Sequence, residues 1–159
     1  MYVTFAPRGI LQIDDARIIY RNFSGIGSKF NREGDRNFAV VIPDENIAND
    51  LIEKGWNVRI KPPREDGEDP FMYLPVKISF KGRGTNAYLV SGRATRRLTE
   101  DTISCLDNVD ILSVNLDIRP YDWEVKGETG RSAYLESIEV IQDIDRFAAR
   151  YAEEEYPED

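Results

Sequence analysis

The sequence predicts a mainly β domain, on three observations. Val, Ile, Tyr, Phe and Trp recur in short runs bounded by Gly, Pro, Asn or Asp, the mark of strands and turns. Apolar and polar residues alternate with a period of two. The pattern is clearest where Val76, Ile78 and Phe80 interleave with Lys77, Ser79 and Lys81, and where Ile138 and Val140 flank Glu139. The 159 residues, 41% hydrophobic and 31% charged, suffice for one domain with a buried core.

On this reading strands cover residues 2–5, 9–13, 17–23, 37–42, 56–61, 73–80, 87–94, 111–119, 123–125 and 132–142. Two short helices interrupt them. Asp44 caps the first, whose apolar face is Ile47, Leu51 and Ile52 and whose end is Gly55. Thr99 caps the second, with Glu100 and Asp101 in its first turn and Ile103 and Leu106 inward. Ile144, Phe147, Ala148 and Tyr151 follow helical spacing and predict a short C-terminal helix. Residues 1–151 then form a single domain, and 152–159 a flexible acidic tail with nothing to bury. Loops 24–36 and 62–70 are long enough to suggest function.

Several chemistries are removed by composition. There is no histidine, so the commonest general base, the usual zinc ligand and every Ser-His or Cys-His pair are missing. The single Cys105 makes no internal disulfide, which favours a reducing compartment and a cytoplasmic protein. No G-K-[ST] phosphate loop occurs, and the near miss at 127–132 joins two strands. The pairs Asp14/Asp15 and Asp107/Asp110 read as solvated or capping groups, so neither metal nor cofactor is expected. No apolar run approaches the roughly 18–20 residues of a membrane span. A non-enzymatic protein is the expectation.

Charge is distributed unevenly. The net charge is −8, yet residues 77–97 hold six bases (Lys77, Lys81, Arg83, Arg93, Arg96, Arg97) and no acid. The last seven residues hold five acids: Glu153, Glu154, Glu155, Glu158 and Asp159, around Tyr156. Setting these aside leaves 24 acidic against 21 basic side chains. Local potential, not the sum, governs polyanion binding. Phe80 and Tyr88 lie within the basic run, although Phe80 shares the parity of the core residues Val76 and Ile78. Residues 21–36 repeat the combination: Arg21, Lys29, Arg32 and Arg36 beside Phe23 and Phe30, with three glycines loosening the loop. Cations that neutralise phosphates, interleaved with rings that stack on unpaired bases, point to single-strand binding. Phosphate contacts are expected from these ten bases, and stacking from Phe23, Phe30, Tyr88 and Trp56. Lys77 and Lys81 share a strand face, as do Arg93 and Arg97, so the charges cannot all serve one groove.

The runs R-N-F-S-G-I-G-S-K-F-N-R-E-G-D-R-N-F-A-V-V-I-P, G-W-N-V-R-I-K-P-P and Y-L-P-V-K-I-S-F-K-G-R resemble small phage-encoded single-stranded-DNA-binding proteins, over roughly residues 20–142. That resemblance implies an OB-like β-barrel, here elaborated by extra strands and the two inserted helices. It also implies binding of single-stranded DNA during phage replication or recombination, in the host cytoplasm. The acidic tail would compete for the groove or recruit replication and recombination proteins. A β-sandwich, a homodimer, an acidic DNA mimic that inhibits a host protein, a carboxylate-dependent nuclease and a virion role stay open at this point.

Overall fold

A computed structural model of the chain describes residues 1–145 and 147. Ten strands form one sheet: β1 (Tyr2–Phe5), β2 (Leu11–Ala16), β3 (Ile18–Asn22), β4 (Arg36–Ile42), β5 (Arg59–Lys61), β6 (Phe71–Ile78), β7 (Asn86–Ser91), β8 (Ala94–Leu98), β9 (Ile111–Val125) and β10 (Glu128–Gln142). The main path is β1-β2-β9-β10-β6-β4-β3; β5 adds to β6, and the β7–β8 hairpin adds to β10. β10 runs parallel to β6 and β7, whereas the other pairs are antiparallel.

By its ladders the sheet is open, but Arg17 alone separates β2 from β3. One run, residues 11–22, therefore edges β9 with its first half and β4 with its second. Each half carries an irregularity in register, and each irregularity holds a residue with positive φ: Asp15 at 54° and Tyr20 at 54°. Bulges of this kind bend a strand and raise its twist. The sheet curls until its two ends share one strand, which gives the OB-like barrel.

The inner face follows the period of two. Met72, Leu74, Val76 and Ile78 of β6 are buried, as are Phe38, Val40 and Ile42 of β4, and Leu116, Ile118, Leu135, Ile138 and Val140 of the β9–β10 pair. A helix, α1 (Glu45–Glu53), packs Ala48 and Leu51 against this core. The Asp44 carboxylate accepts the Ile47 N–H at 2.8 Å, and Gly55 follows the helix at φ 90°.

Four elements differ from the sequence expectation. The second helix is a five-residue 3-10 turn, Ile103–Asp107, pinned by bonds from the Thr102 and Ile103 N–H groups to the Thr99 carbonyl. The run 87–94 is not one strand, because Gly92, at φ 61°, reverses it into the β7–β8 hairpin. β9 does not stop at Pro120. β2 has already ended at Leu11, opposite Ile118, so that edge needs no donor from the proline. Trp56 starts no strand; it makes a single bridge to Arg131 and is 3% exposed. The predicted C-terminal helix and the tail residues Glu153, Glu154, Glu155, Tyr156, Glu158 and Asp159 lie outside the described residues.

Candidate nucleic-acid interface

Alternation that buries Val76 and Phe38 turns Lys77 and Asn37 outward. The register extends this into a row across four strands, Arg119–Tyr134–Lys77–Asn37, on β9, β10, β6 and β4. The Lys77 ammonium and the Arg119 guanidinium each lie 5.9 Å from the centre of the Tyr134 ring. A groove of about 780 Å³ opens here. Its floor includes Asn37, Ala39, Tyr73, Pro75, Lys77 and Tyr134. One wall is the β3–β4 loop, through Phe30, Arg32 and Arg36; another is Ser79, Phe80 and Lys81; Tyr20 and Arg59 also line it.

The loop that carries Phe30 is hydrogen-bonded at its root and near its tip. Asp107 accepts the Phe23 and Ser24 N–H groups at 2.7 and 3.0 Å and the Ser24 hydroxyl at 2.5 Å, tying the loop root to the 3-10 turn. The Asn31 amide donates to the carbonyls of Ile26, Arg32 and Asp35, and its oxygen accepts from Asn37. Gly25 and Gly34 touch through the backbone, where an added Cβ on Gly25 would meet the Gly34 carbonyl carbon at 3.0 Å. The glycines permit this close approach of the two ends of the loop. At the tip, Phe30 is 92% exposed beside Lys29, whose ammonium is 5.8 Å from its ring.

Of the expected DNA-contacting residues, Phe30, Arg32, Arg36, Lys77 and Lys81 come together in the groove. Arg36 also donates to the Phe23 and Glu100 carbonyls and lies 5.4 Å from the Phe80 ring, so it braces the wall as well as charging it. Arg32 pairs with Asp35 at 3.3 Å on the lip. Others are placed elsewhere. Phe23 is 0% exposed and stacks on Phe38 at 5.2 Å, and Trp56 is core, so neither ring has a face for a base. Arg21 donates to the Leu106 and Val109 carbonyls and is a brace. Arg83 pairs with Glu136 at 3.1 Å. Tyr88, Arg93, Arg96 and Arg97 sit on the β7–β8 hairpin beyond the groove, with Arg97 bonded to Asn86 and 5.9 Å from the Tyr88 ring.

Tyr20, Arg59, Tyr73 and Tyr134 line the groove and were not singled out from the sequence. Lys61 joins Tyr20 and Tyr73, donating to the Tyr20 hydroxyl at 3.0 Å and lying within 5.6 Å of both ring centres. That hydrogen bond raises the lysine's pKa, so it stays charged. A signal existed for Tyr73: it shares parity with Lys77 along β6.

Asp35 and Glu100 are among the groove-lining residues, and a further group of acids, Asp14 and Glu136, lies near Asp117. Burial, and then the charges of Asp14 and Glu136, push its carboxyl above the usual range. A raised folded-state pKa stabilises the fold below the unfolded value, about 3.9, and that contribution is lost as pH rises through the folded value. Asp117→Asn should therefore raise the melting temperature slightly at pH 7. The gain should vanish below about pH 4, as a pH series of thermal melts would show.

The chain matches the family model described as "Putative phage ssDNA-binding domain" over residues 2–158. No curated protein matches it in sequence. Among solved structures it is similar to the single-stranded DNA-binding protein from bacteriophage Enc34. The TM-score is 0.57 at 16% identity, covering 91% of this chain and 87% of that one. The same phage protein in complex with ssDNA gives 0.57 at 16% identity, covering 91% and 93%. Its C-terminal truncation gives 0.56 at 16% identity, covering 90% and 91%. At this identity the likeness speaks for the fold, and the family match speaks for descent: the chain belongs to the phage ssDNA-binding domain family.

Proposed function

We propose that this protein binds single-stranded DNA without enzymatic turnover and with little sequence preference, in phage DNA replication or recombination. The observation that carries the reading is the groove itself. Arg32, Arg36, Arg59, Lys77 and Lys81 line one trough together with Tyr20, Phe30, Tyr73, Phe80 and Tyr134. Cations track a backbone of phosphates while rings accept bases of any identity. The strand 2–3 face and the adjoining first loop of an OB barrel are where oligonucleotides bind, and β4, β6 and the β3–β4 loop supply those parts here. The β7–β8 hairpin, with Tyr88, Arg93, Arg96 and Arg97, is a flank that longer strands reach. In this reading residues 1–151 are one binding domain. No helix among the described residues is long and apolar enough to cross a membrane.

Polarisation titrations with labelled oligo-dT, duplex and RNA of equal length test the reading. Tightest binding to the unpaired DNA is expected, weakening with salt by about 0.7 log unit per log unit for each phosphate neutralised. Equal affinity for duplex, or no salt dependence, would overturn it.

The five acids of residues 153–159 suit a segment that competes with DNA for the cationic groove, or that recruits replication or recombination proteins once displaced. Deleting 153–159 should tighten oligo-dT binding at 50 mM salt, with the difference shrinking at 300 mM. A deletion that weakens binding, or leaves it level, removes the competing-tail reading and leaves the groove intact.

A further inference from the structure

The outward row that floors the groove does not end at Tyr134. β9 and β10 run on as a two-stranded arm, because β2 leaves the sheet at Leu11, opposite Ile118. Arg131 holds this arm to the barrel. It pairs with Asp122 through two bonds of 2.7 and 3.1 Å, donates to the Lys54 carbonyl at 3.0 Å, and lies 5.4 Å from the Trp56 ring. Register sorts the arm's side chains by face. Arg119, Tyr121, Trp123 and Val125 of β9, with Glu128 at the arm's tip and Gly130, Ser132 and Tyr134 of β10, share the side of the Lys77 row; Asp122, Glu124 and Arg131 take the other. Two acids are thus turned away from the aromatic face.

We propose that a single-stranded nucleic acid leaving the groove crosses Tyr134 and continues along this arm, where Tyr121 receives a further base. The proposal rests on the groove reading. Tyr121 is 58% exposed, and its ring meets Tyr134 edge-on, with centres 5.8 Å apart. The two rings therefore form a continuous aromatic surface from the groove floor to the arm. The neighbours opposite are small: Ser132 faces Tyr121, and Gly130 faces Trp123. A Cβ on Gly130 would come within 2.3 Å of the indole, so the glycine lets Trp123 lie flat across the strand. That indole, 37% exposed, bounds the platform on its far side. Outward residues two apart on a strand are about 6.6 Å apart, which spaces Tyr121 from Trp123 widely enough for a ring to enter. No side chain between Tyr134 and Trp123 on this face is acidic.

The test compares oligo-dT of about 5 and about 16 nucleotides, within the range of OB-fold site sizes, on the full chain. Tyr121→Ala should weaken the longer oligomer at least about 5-fold and leave the shorter unchanged, which also serves as the folding control. Tyr121→Phe should keep wild-type affinity for both. The proposal fails if Tyr121→Ala leaves the longer oligomer unaffected, if it weakens both lengths equally, or if Tyr121→Phe loses as much as Tyr121→Ala. Phe30→Ala is run in parallel and should weaken both lengths. Its failure would count against the groove and not specifically against the arm.

Discussion

Replacing Lys77 and Lys81 together with glutamate should lower oligo-dT affinity more than about tenfold at 0.15 M salt and flatten the salt dependence. Both side chains are exposed, and both line the groove. Neither makes an ion pair among the described residues, so neither is committed to the fold. Each phosphate they neutralise contributes about 0.7 to the salt exponent, so losing two lowers the slope by about 1.4. At physiological salt that exponent alone corresponds to roughly tenfold. The two introduced carboxylates then repel the backbone and add to the loss, which brings the total towards a hundredfold. Arg83→Glu is the contrast. Its partner Glu136 already offsets it and also holds Arg119 at 2.9 Å, so a smaller change is expected. Titrations at three salt concentrations, with thermal melts alongside, separate lost charge from lost fold. A full salt slope in the double variant would place the phosphate path off β6.

The sequence made the strands legible wherever the period of two was unbroken, and hid the site wherever it broke. Lys77 was readable because Val76 and Ile78 fix the parity of β6 to its last residue. Phe80 inherits the same parity on paper, but β6 ends at Ile78. Beyond that point the chain turns, and Phe80 becomes half-buried groove wall under Arg36. Tyr134 shares sequence parity with the buried Ile138. A register shift between Leu135 and Ser137 reverses the faces, so the tyrosine stands outside with Lys77. Tyr20 lies in the shift between Ile19 and Asn22, with φ at 54°. Bulges are decided by what two strands must do together, and no local pattern announces them. The basic run is split for a related reason. Strand parity already divides the six cations, and the turn at Gly92 divides them further: Arg93, Arg96 and Arg97 go onto a hairpin paired with β10, while Lys77 on β6 and Lys81 just beyond it line the groove. Phe23 and Trp56 could not be told from stacking rings by composition; their burial comes from long-range contacts with Phe38 and Arg131.

Phe30→Ala should cost roughly 5- to 150-fold in affinity for oligo-dT while leaving the melting temperature and the salt slope where they are. The ring is 92% exposed, so its removal takes no buried apolar area from the fold. It carries no charge, so the number of neutralised phosphates is unchanged. What it contributes is a base-stacking face, worth about 1–3 kcal/mol per base. That face is offered by a loop already fixed in place. Asp107 clamps the root, Asn31 bridges three carbonyls, and Asn37 ties Asn31 to β4. A preorganised arm gives up little conformational freedom on binding, so the stacking energy appears in the affinity and is not consumed in ordering the loop. Phe23→Ala, seven residues earlier, should do the reverse. That ring is fully buried against Phe38, and its loss should cost about 3–5 kcal/mol of stability, with DNA affinity per folded molecule nearly preserved. Paired melts and titrations of the two variants therefore give crossed outcomes. Should Phe30→Ala bind oligo-dT like the parent chain, the loop tip takes no part in stacking and the bases must be held by Tyr73, Phe80 and Tyr134 on the groove floor and far wall.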